Sequence, residues 1–561
     1  MMTIVKRFSI VIVILILTIS CARHKTQFLE NNESSLPSLY LTIDPLQLDS
    51  ILNDQDLKIP AEALLVTPQH DTLFNEELSY IKTRGNSTFK EIKKPFTVKF
   101  HRKQKLLGLN KSRSFVLLAN AHDESHIRNA IALDLAHAIG LPAPNYTYIS
   151  LYINNEYKGL YQMTNKVEVG RHVLNITDLD ELNKQANPQR LEEYDLFRYA
   201  NEYKGVMLEY DPEDITGGYL LENINVIHEY YNKSKSGFIS NIGDRIRIRS
   251  PKHASVNEVE YIANLYNLME AAVISEDGCN PVTGKHYSEY IDVKSFALYY
   301  LLNEVLLNMD GGFVSFFMYK DSDFYDSKIY AGPIWDFDLT LGSPRFNTNI
   351  IAPNEIYIGS KICYIRDHDT SSDGLLYNLM QHKDFQIIVK QLYLNEISPI
   401  LHDYLADGNI EDLSKALYFE AEKDNQLYQY RYSSNYYMAI KTVKDFLNSR
   451  LEFFDWYYST PENDMVTVDY TNKDKAPHRR EIHIYYPINE PIFPPSLKAT
   501  TTIYNHTPIP TLYYAGTDCI VPNGKIFNAP QHLELREREP TKIEILKRRI
   551  KKKFVNWGIN I

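Results

Sequence analysis

A chain of 561 residues, 44% hydrophobic and 23% charged, has the composition of a folded protein with room for two or three packed units, which excludes a wholly disordered tail. Its formal net charge of -11, with no sizeable basic stripe before the last few residues, excludes general nucleic-acid binding.

The N-terminus reads "MMTIVKRFSIVIVILILTISCARHK", with Lys6 and Arg7 ahead of an apolar run, Phe8 to Ile19, that ends at small Ser20 and Cys21. The run is short for a bilayer span and has the charge, apolar core and small residue of a secretory signal, here residues 1-20. "LTISC" resembles the lipobox of bacterial lipoproteins, whose Cys becomes the lipidated first residue, although Thr18 stands where Leu is usual. That resemblance implies a lipid anchor on Cys21, a polar tether over 21-36 and a membrane attachment. The basic "ARHK" after the Cys favours a periplasm-facing place in the envelope; an uncleaved anchor is the alternative. The remaining Cys279, Cys363 and Cys519 are odd in number and lack metal-type spacing, so they read as packing residues.

Strand-like segments dominate to about residue 250, among them "SLYLTI", "LSYIKTRG", "PFTVKF", "SFVLLA", "YTYISLYIN", "YKGLYQMT", "GVMLEY", "GGYLLEN" and "RIRIRS". One helix interrupts them between Ser125 and Gly140, where Ile127, Ala130, Ile131, Leu135 and Ala138 recur at helical spacing. After Pro251 the period becomes 3.6, with amphipathic helices predicted in "ASVNEVEYIANLYNLMEAAVI", "DVKSFALYYLLNEVLL", "DGLLYNLMQHKDFQIIVKQLYL" and "NYYMAIKTVKDFLNSRLEFFDWY". A sheet-rich half (37-250) followed by a helix-rich half (251-457) predicts an α+β fold of two lobes with a cleft between them. A small β-rich module follows over 462-545. The basic tail 546-561, with "KRRIKKKF", suits weak attraction to anionic headgroups or a frayed terminus.

Four positions carry potential chemistry. Alternation in "KKPFTVKF" sends Phe96, Val98 and Phe100 inward and Lys99 to the other face, either into water or toward a partner. Asp134 falls on the apolar stripe of the helix, where an acid wants a cation such as Lys99 or an edge that reaches water. "LLNEVLLNMDGG" runs a strong helix into two glycines and leaves Asp310 in the loop, a functional position or an ordinary Asp-Gly turn. Further on, "YAGPIWDFDLTLG" places Asp336 and Asp338 two residues apart, so in an extended segment both face one way while Trp335, Phe337 and Leu339 face the other. Two converging carboxylates ask for a cation, with Mg²⁺ the obvious one, unless they are simply solvated. Strand Lys, helix acid, loop Asp, then a metal-type Asp beside an aromatic is the order of parts in protein kinases.

"RGNST" (84-88), "KKPFTVKF" (93-100), "LLGLNKSRSFVLLAN" (106-120), "IRNAIALDLAHAIGLP" (127-142), "LYINNEYKGLYQMTNK" (151-166), "GGYLLE" (217-222) and "GPIWDFD" (332-338) together resemble the spore coat protein H kinase-like family, CotH, over about residues 37-457. The lipoprotein members of Bacteroidetes-like bacteria resemble it most. The resemblance implies an atypical protein-kinase-like fold and transfer of phosphate from ATP, with Mg²⁺ or Mn²⁺, to Ser or Thr of an envelope or secreted protein. Carried over residue by residue, it implies that Lys99 holds the phosphates with Asp134 as its pair, Asp310 is the base, and Asp336 and Asp338 hold metal. Arg84, Lys94 and Arg128 would line the cleft, and Tyr161 would stack on the base.

The chain departs from the kinase pattern in three places. It has no glycine-rich Gly-x-Gly-x-x-Gly loop, so phosphate cover falls to Arg84-Gly85-Asn86-Ser87. Ser315, a weaker metal ligand, stands where kinases place a metal-binding Asn, and Asn165 where family members often carry Glu. A member that keeps the fold as an envelope scaffold without chemistry is therefore an alternative. A glycan-binding lipoprotein is another: 42 Tyr suit it, while only three Trp weigh against it.

Overall fold

The computed structural model describes residues 36-459, apart from 172, 200-201, 225-227, 313, 344-352, 355, 360-373 and 430-434, and adds four short strands further on. The expected signal, Cys21, tether and basic tail lie outside the described residues, as do Cys363 and Cys519. Cys279 is a free thiol.

The first unit is a closed seven-stranded barrel. Its strands are β1 (Ser38–Thr42), β2 (Ile59–Val66), β3 (Thr72–Thr83), β4 (Phe96–Gln104), β5 (Ser112–Leu118), β6 (Tyr146–Ile153) and β7 (Glu156–Asn165), arranged β1-β2-β3-β4-β5-β7-β6. All neighbours run antiparallel except β1 and β6, whose parallel pairing closes the barrel and leaves no open edge. Alternation explains the filling: Phe96, Val98 and Phe100 point inward with Ile81, Phe115 and Met163. Helix α1 (Pro45–Asn53), capped by Asp44, sends Ile51 into this same core. Sequence periodicity points to most of these strands but not to β2, where Pro60 and the apolar Leu64 and Val66 on the outer face obscure the alternation.

Helix α2 (Arg128–Ala138) leaves the barrel after β5 and packs into the larger core. Beyond β7 come α3 (Leu179–Ala186), β8 (Leu196–Tyr199), β9 (Tyr203–Val206), β10 (Tyr219–Ile224), α4 (His228–Lys233), β11 (Gly237–Ile239) and β12 (Arg245–Ser250). Two long helices follow, α5 (Val256–Ile274) and α6 (Val293–Val305), then β13 (Val314–Lys320) and β14 (Ile329–Ala331). A second sheet has the order β14-β13-β10-β12-β11-β9-β8, so it draws strands from both sides of residue 250. The expected lobe boundary at 250 is therefore not where the sheets divide. Pairing of β10 with β13 carries the chain back across it.

The C-terminal part is helical: α7 (Leu375–Leu379), α8 (Lys383–Leu392), α9 (Ser398–Ala406), α10 (Asn409–Tyr428) and α11 (Tyr436–Ser459). In α11 the expected stripe is buried at Val443, Leu447, Leu451 and Phe454. The segment read as one helix over 373-394 is broken between α7 and α8, and His382 at the break hydrogen-bonds the Val273 carbonyl at 2.7 Å. Arg450, fully buried, meets Glu304 at 3.1 Å, and Glu304 in turn accepts from the backbone amides of Tyr357, Ile358 and Gly359. Beyond residue 460, Arg480–Ile484 pairs with Thr501–Asn505, and Thr511–Tyr514 with Glu534–Glu537.

Barrel and helices are tied by a buried ion pair. Lys93 Nζ lies 2.7 Å from Asp424 of α10 and donates to the Leu160 carbonyl, while the Leu160 amide donates to Asp424 at 2.8 Å. Gly159 makes the approach possible, since a Cβ there would stand 2.1 Å from the Asp424 carboxylate. Both charges are almost fully buried, so removing one strands the other. Lys93→Met is expected to destabilise the fold by ~3-5 kcal/mol in urea denaturation, and adding Asp424→Leu should restore most of that loss.

Candidate active site

A cavity of about 270 Å³ opens where the barrel meets the second sheet. Its walls are of opposite charge. Asp310, Asp336, Asp338 and Glu222 line it, together with Lys82, Arg84, Lys166, Arg247 and Arg249.

The acidic wall is built on two connections. Helix α6 ends at Val305, Leu307 turns through φ 50°, and Asp310 sits in the following turn with its amide bonded to Asn308 Oδ1 at 3.2 Å. The segment after β14 carries Asp336 and Asp338. Asp336 adopts φ 71°, a left-handed conformation that Asp tolerates better than most residues. This turn breaks the expected alternation. Both acids line the cavity, as the spacing predicts, but Trp335 and Leu339 border it too; Phe337 and Leu339 are buried in the core, while Trp335 is only half-buried. Arg84 lies over the Trp335 ring at 5.5 Å.

The start of α2 holds this segment. The Phe337 amide donates to Asn129 Oδ1 at 2.8 Å, and Arg128 Nε donates to the Thr340 carbonyl at 2.9 Å. Arg128 is itself paired with buried Asp123, whose carboxylate also accepts from the Arg128 amide at 2.9 Å. A buried arginine so satisfied fixes the chain at Thr340, and Asn129 fixes it at Phe337, between the two acids.

Crowding of like charge shows in the titration of these acids. Burial, then the neighbouring charges of Asp336 and Asp310, push the Asp338 carboxyl well above the usual carboxylate range. Asp336 opens onto the cleft, yet the protein around it still raises its carboxyl through desolvation, opposed by the Ser315 hydroxyl and by Arg84. Ser315 Oγ donates to Asp336 at 3.0 Å, which orients one oxygen and makes Ser315 a support for the acid. Burial also raises Glu222, against the pull of Arg247 at 2.9 Å.

The basic wall comes from both sheets. Lys82 and Arg84 stand two residues apart around the end of β3, on the side opposite buried Ile81 and Thr83. Arg247 and Arg249 alternate on β12 with buried Ile246 and Ile248, and Lys166 follows β7. Gly85, at φ 97°, lets the 84-88 turn fold over the cavity, for a Cβ there would meet Thr88 Oγ1 at 2.2 Å. Arg84, Gly85, Asn86 and Ser87, the segment expected to cover phosphates, line the cavity.

Several expected roles do not fit this geometry. Lys99 does not meet Asp134. It lies on the outer face of β4 over the Tyr80 ring at 5.4 Å, with burial and the nearby Arg113 lowering its affinity for a proton. The Asp134 carboxylate instead accepts from the hydroxyls of Tyr146 at 2.9 Å and Tyr404 at 3.1 Å, beside a different cavity. A core-facing acid was satisfied by phenols rather than by a cation. Lys94 bonds the Phe89 carbonyl at 2.5 Å, Arg128 is buried as described, and Tyr161 lies inside the barrel with its hydroxyl on the Lys94 carbonyl. None of Lys99, Asp134, Lys94, Arg128 and Tyr161 lines the cleft. Asn165 is also buried, exchanging hydrogen bonds with the backbone of Asn110.

Lys82, Lys166, Glu222, Arg247 and Arg249 were missed. The sequence did hold a signal for four of them: "YIKTRG" and "RIRIRS" place pairs of cations on one strand face, and Glu222 stands in the quoted "GGYLLE". Lys166 closes the quoted "LYINNEYKGLYQMTNK" but follows a strand end, with no periodicity to single it out.

Residues 81–454, well over half of the chain, match the family described as CotH kinase protein. The chain belongs to the CotH kinase family. No curated protein matches it. Membership in CotH gives kinase-like chemistry a basis, and the donor set agrees: oxygen ligands on Asp336 and Asp338 suit a hard divalent cation, which takes one or two carboxylates and completes its shell with phosphate and water. Among the described residues no group of three or more His, Cys, Asp or Glu side chains could hold a metal ion by itself.

Asn129→Ala removes the acceptor for a buried amide. The expected cost is ~1-3 kcal/mol, with faster hydrogen exchange at Phe337 than at amides of the barrel.

Proposed function

We propose that this protein is a lipid-anchored envelope kinase that moves the γ-phosphoryl of ATP to a Ser or Thr hydroxyl of a protein. The observation that carries this reading is the single cavity in which Asp310, Asp336 and Asp338 face a wall of lysines and arginines. A polyanion with its divalent cation satisfies both walls at once.

In this reading Lys82, Lys166, Arg84 and Arg247 bind and orient the phosphates, and the 84-88 turn covers them. Mg²⁺, held by Asp336 and Asp338, would neutralise charge on the phosphates. Asp310 accepts the hydroxyl proton as the acceptor oxygen bonds to the γ-phosphorus and the bond to the bridging oxygen breaks, releasing ADP. Ser315 keeps Asp336 oriented. A second reading, a scaffold without transfer, rests on Ser315 standing where kinases carry Asn.

Transfer of labelled γ-phosphate to a Ser-rich acceptor, or to the protein itself, separates the two. Asp310→Asn should abolish transfer while Mg-ATP still raises the melting temperature; Asp336→Asn should lose both. Wild-type binding without transfer would favour the scaffold. The anchoring is tested by Cys21→Ala, which is expected to move the protein from the membrane fraction to the soluble one; continued membrane association would contradict lipidation at that residue.

A further inference from the structure

Past its basic wall the cleft runs into a second recess of about 580 Å³, and the two share Lys82, Lys166, Arg247 and Arg249. Among the described residues eight Lys and Arg side chains line this recess against four Asp and Glu, and none of its lining residues is aromatic. Two of those acids already serve the backbone: Asp178 caps α3 through the Glu181 amide at 3.1 Å, and Asp180 accepts the Lys252 amide at 2.8 Å. Glu168 lies 4.0 Å from Lys166, and Asp56 completes the acidic set. The balance stays positive in a protein whose overall charge is -11.

The cations feel one another. Burial lowers the proton affinity of Lys166, and Arg84, Lys252 and Arg247 lower it further against the pull of Glu168. For Lys82 burial again comes first, with Lys58, Arg84 and Lys252 adding to it and Asp56 opposing. A ligand that brings negative charge relieves this repulsion.

The shape and composition narrow the ligand. With no ring to stack on, the recess does not suit a nucleobase. The carboxylates interspersed among its eight cations would repel a continuous phosphate backbone. Separated carboxylates on a flexible chain fit between them. We propose that the recess is a docking subsite for the acceptor polypeptide and selects one with Asp or Glu near the hydroxyl residue that enters the cleft. This rests on the phosphotransfer reading for the word acceptor, but the binding itself does not need nucleotide.

The test is fluorescence anisotropy of the full chain, without nucleotide, against labelled peptides of equal length in which one Ser is flanked by Glu, by Gln or by Lys, with a single-stranded RNA as a fourth probe. The acidic peptide should bind at least about tenfold more tightly than the neutral one at low salt, and weaken as salt rises. Lys184→Glu combined with Lys235→Glu, both outside the phosphate wall, should lose about tenfold or more of that affinity while leaving the Mg-ATP melting shift unchanged. Equal affinity for acidic and neutral peptides, tighter binding of RNA, or wild-type affinity in the charge-reversed variant would overturn the proposal. Absence of phosphoryl transfer with intact acidic-peptide binding would instead count against the kinase reading and support the peptide site.

Discussion

Everything in the cleft depends on a constraint at Phe337. Its ring is buried in the core and its amide is bonded to Asn129, which fixes the backbone between buried Asp338 and Asp336, the acid that opens onto the cleft. Arg128, neutralised by Asp123, holds the next turn through the Thr340 carbonyl. The fold thus keeps two carboxylates side by side and near Asp310 at an electrostatic cost that their raised proton affinities record. A divalent cation reverses that cost, because it favours the ionised form of both groups.

The cost is tolerable because the surroundings are over-determined. The barrel has no open edge, the Lys93–Asp424 pair locks it to α10, and Glu304 with Arg450 organises the helices behind Asp310. Strained residues such as Asp336, at φ 71°, persist only in such a setting. The cations opposite come from strands of two different sheets, so the cleft exists only when both sheets are formed and apposed.

Much of this was legible in the sequence. Alternation located β4, β6 and β10, helical spacing located α2, α5, α6 and α11, and the spacing of Asp336 and Asp338 placed both acids on one cavity. What failed was pairing over distance. Lys99 and Asp134 each stood where a partner was needed, but periodicity cannot name the partner, and Tyr404, 270 residues from Asp134, supplied a hydroxyl that no local pattern announces. The order of parts in kinases suggested a strand lysine on β4, whereas the cations that reach the cleft from the barrel are Lys82 and Arg84, around the end of β3, and Lys166, after β7. Closure of the first sheet into a barrel was equally invisible, since it depends on β1 meeting β6 across more than a hundred residues.

The central claim is that the acids and the cations of one cavity act together on a metal-bound triphosphate. Calorimetric titration of the full chain with a non-hydrolysable ATP analogue tests it most directly. Binding should be saturable, should need Mg²⁺ or Mn²⁺, and should weaken sharply when Lys82 and Arg247 are both changed to Ala. Absence of binding at any concentration of either metal, or binding that ignores both the metal and those two cations, would contradict it.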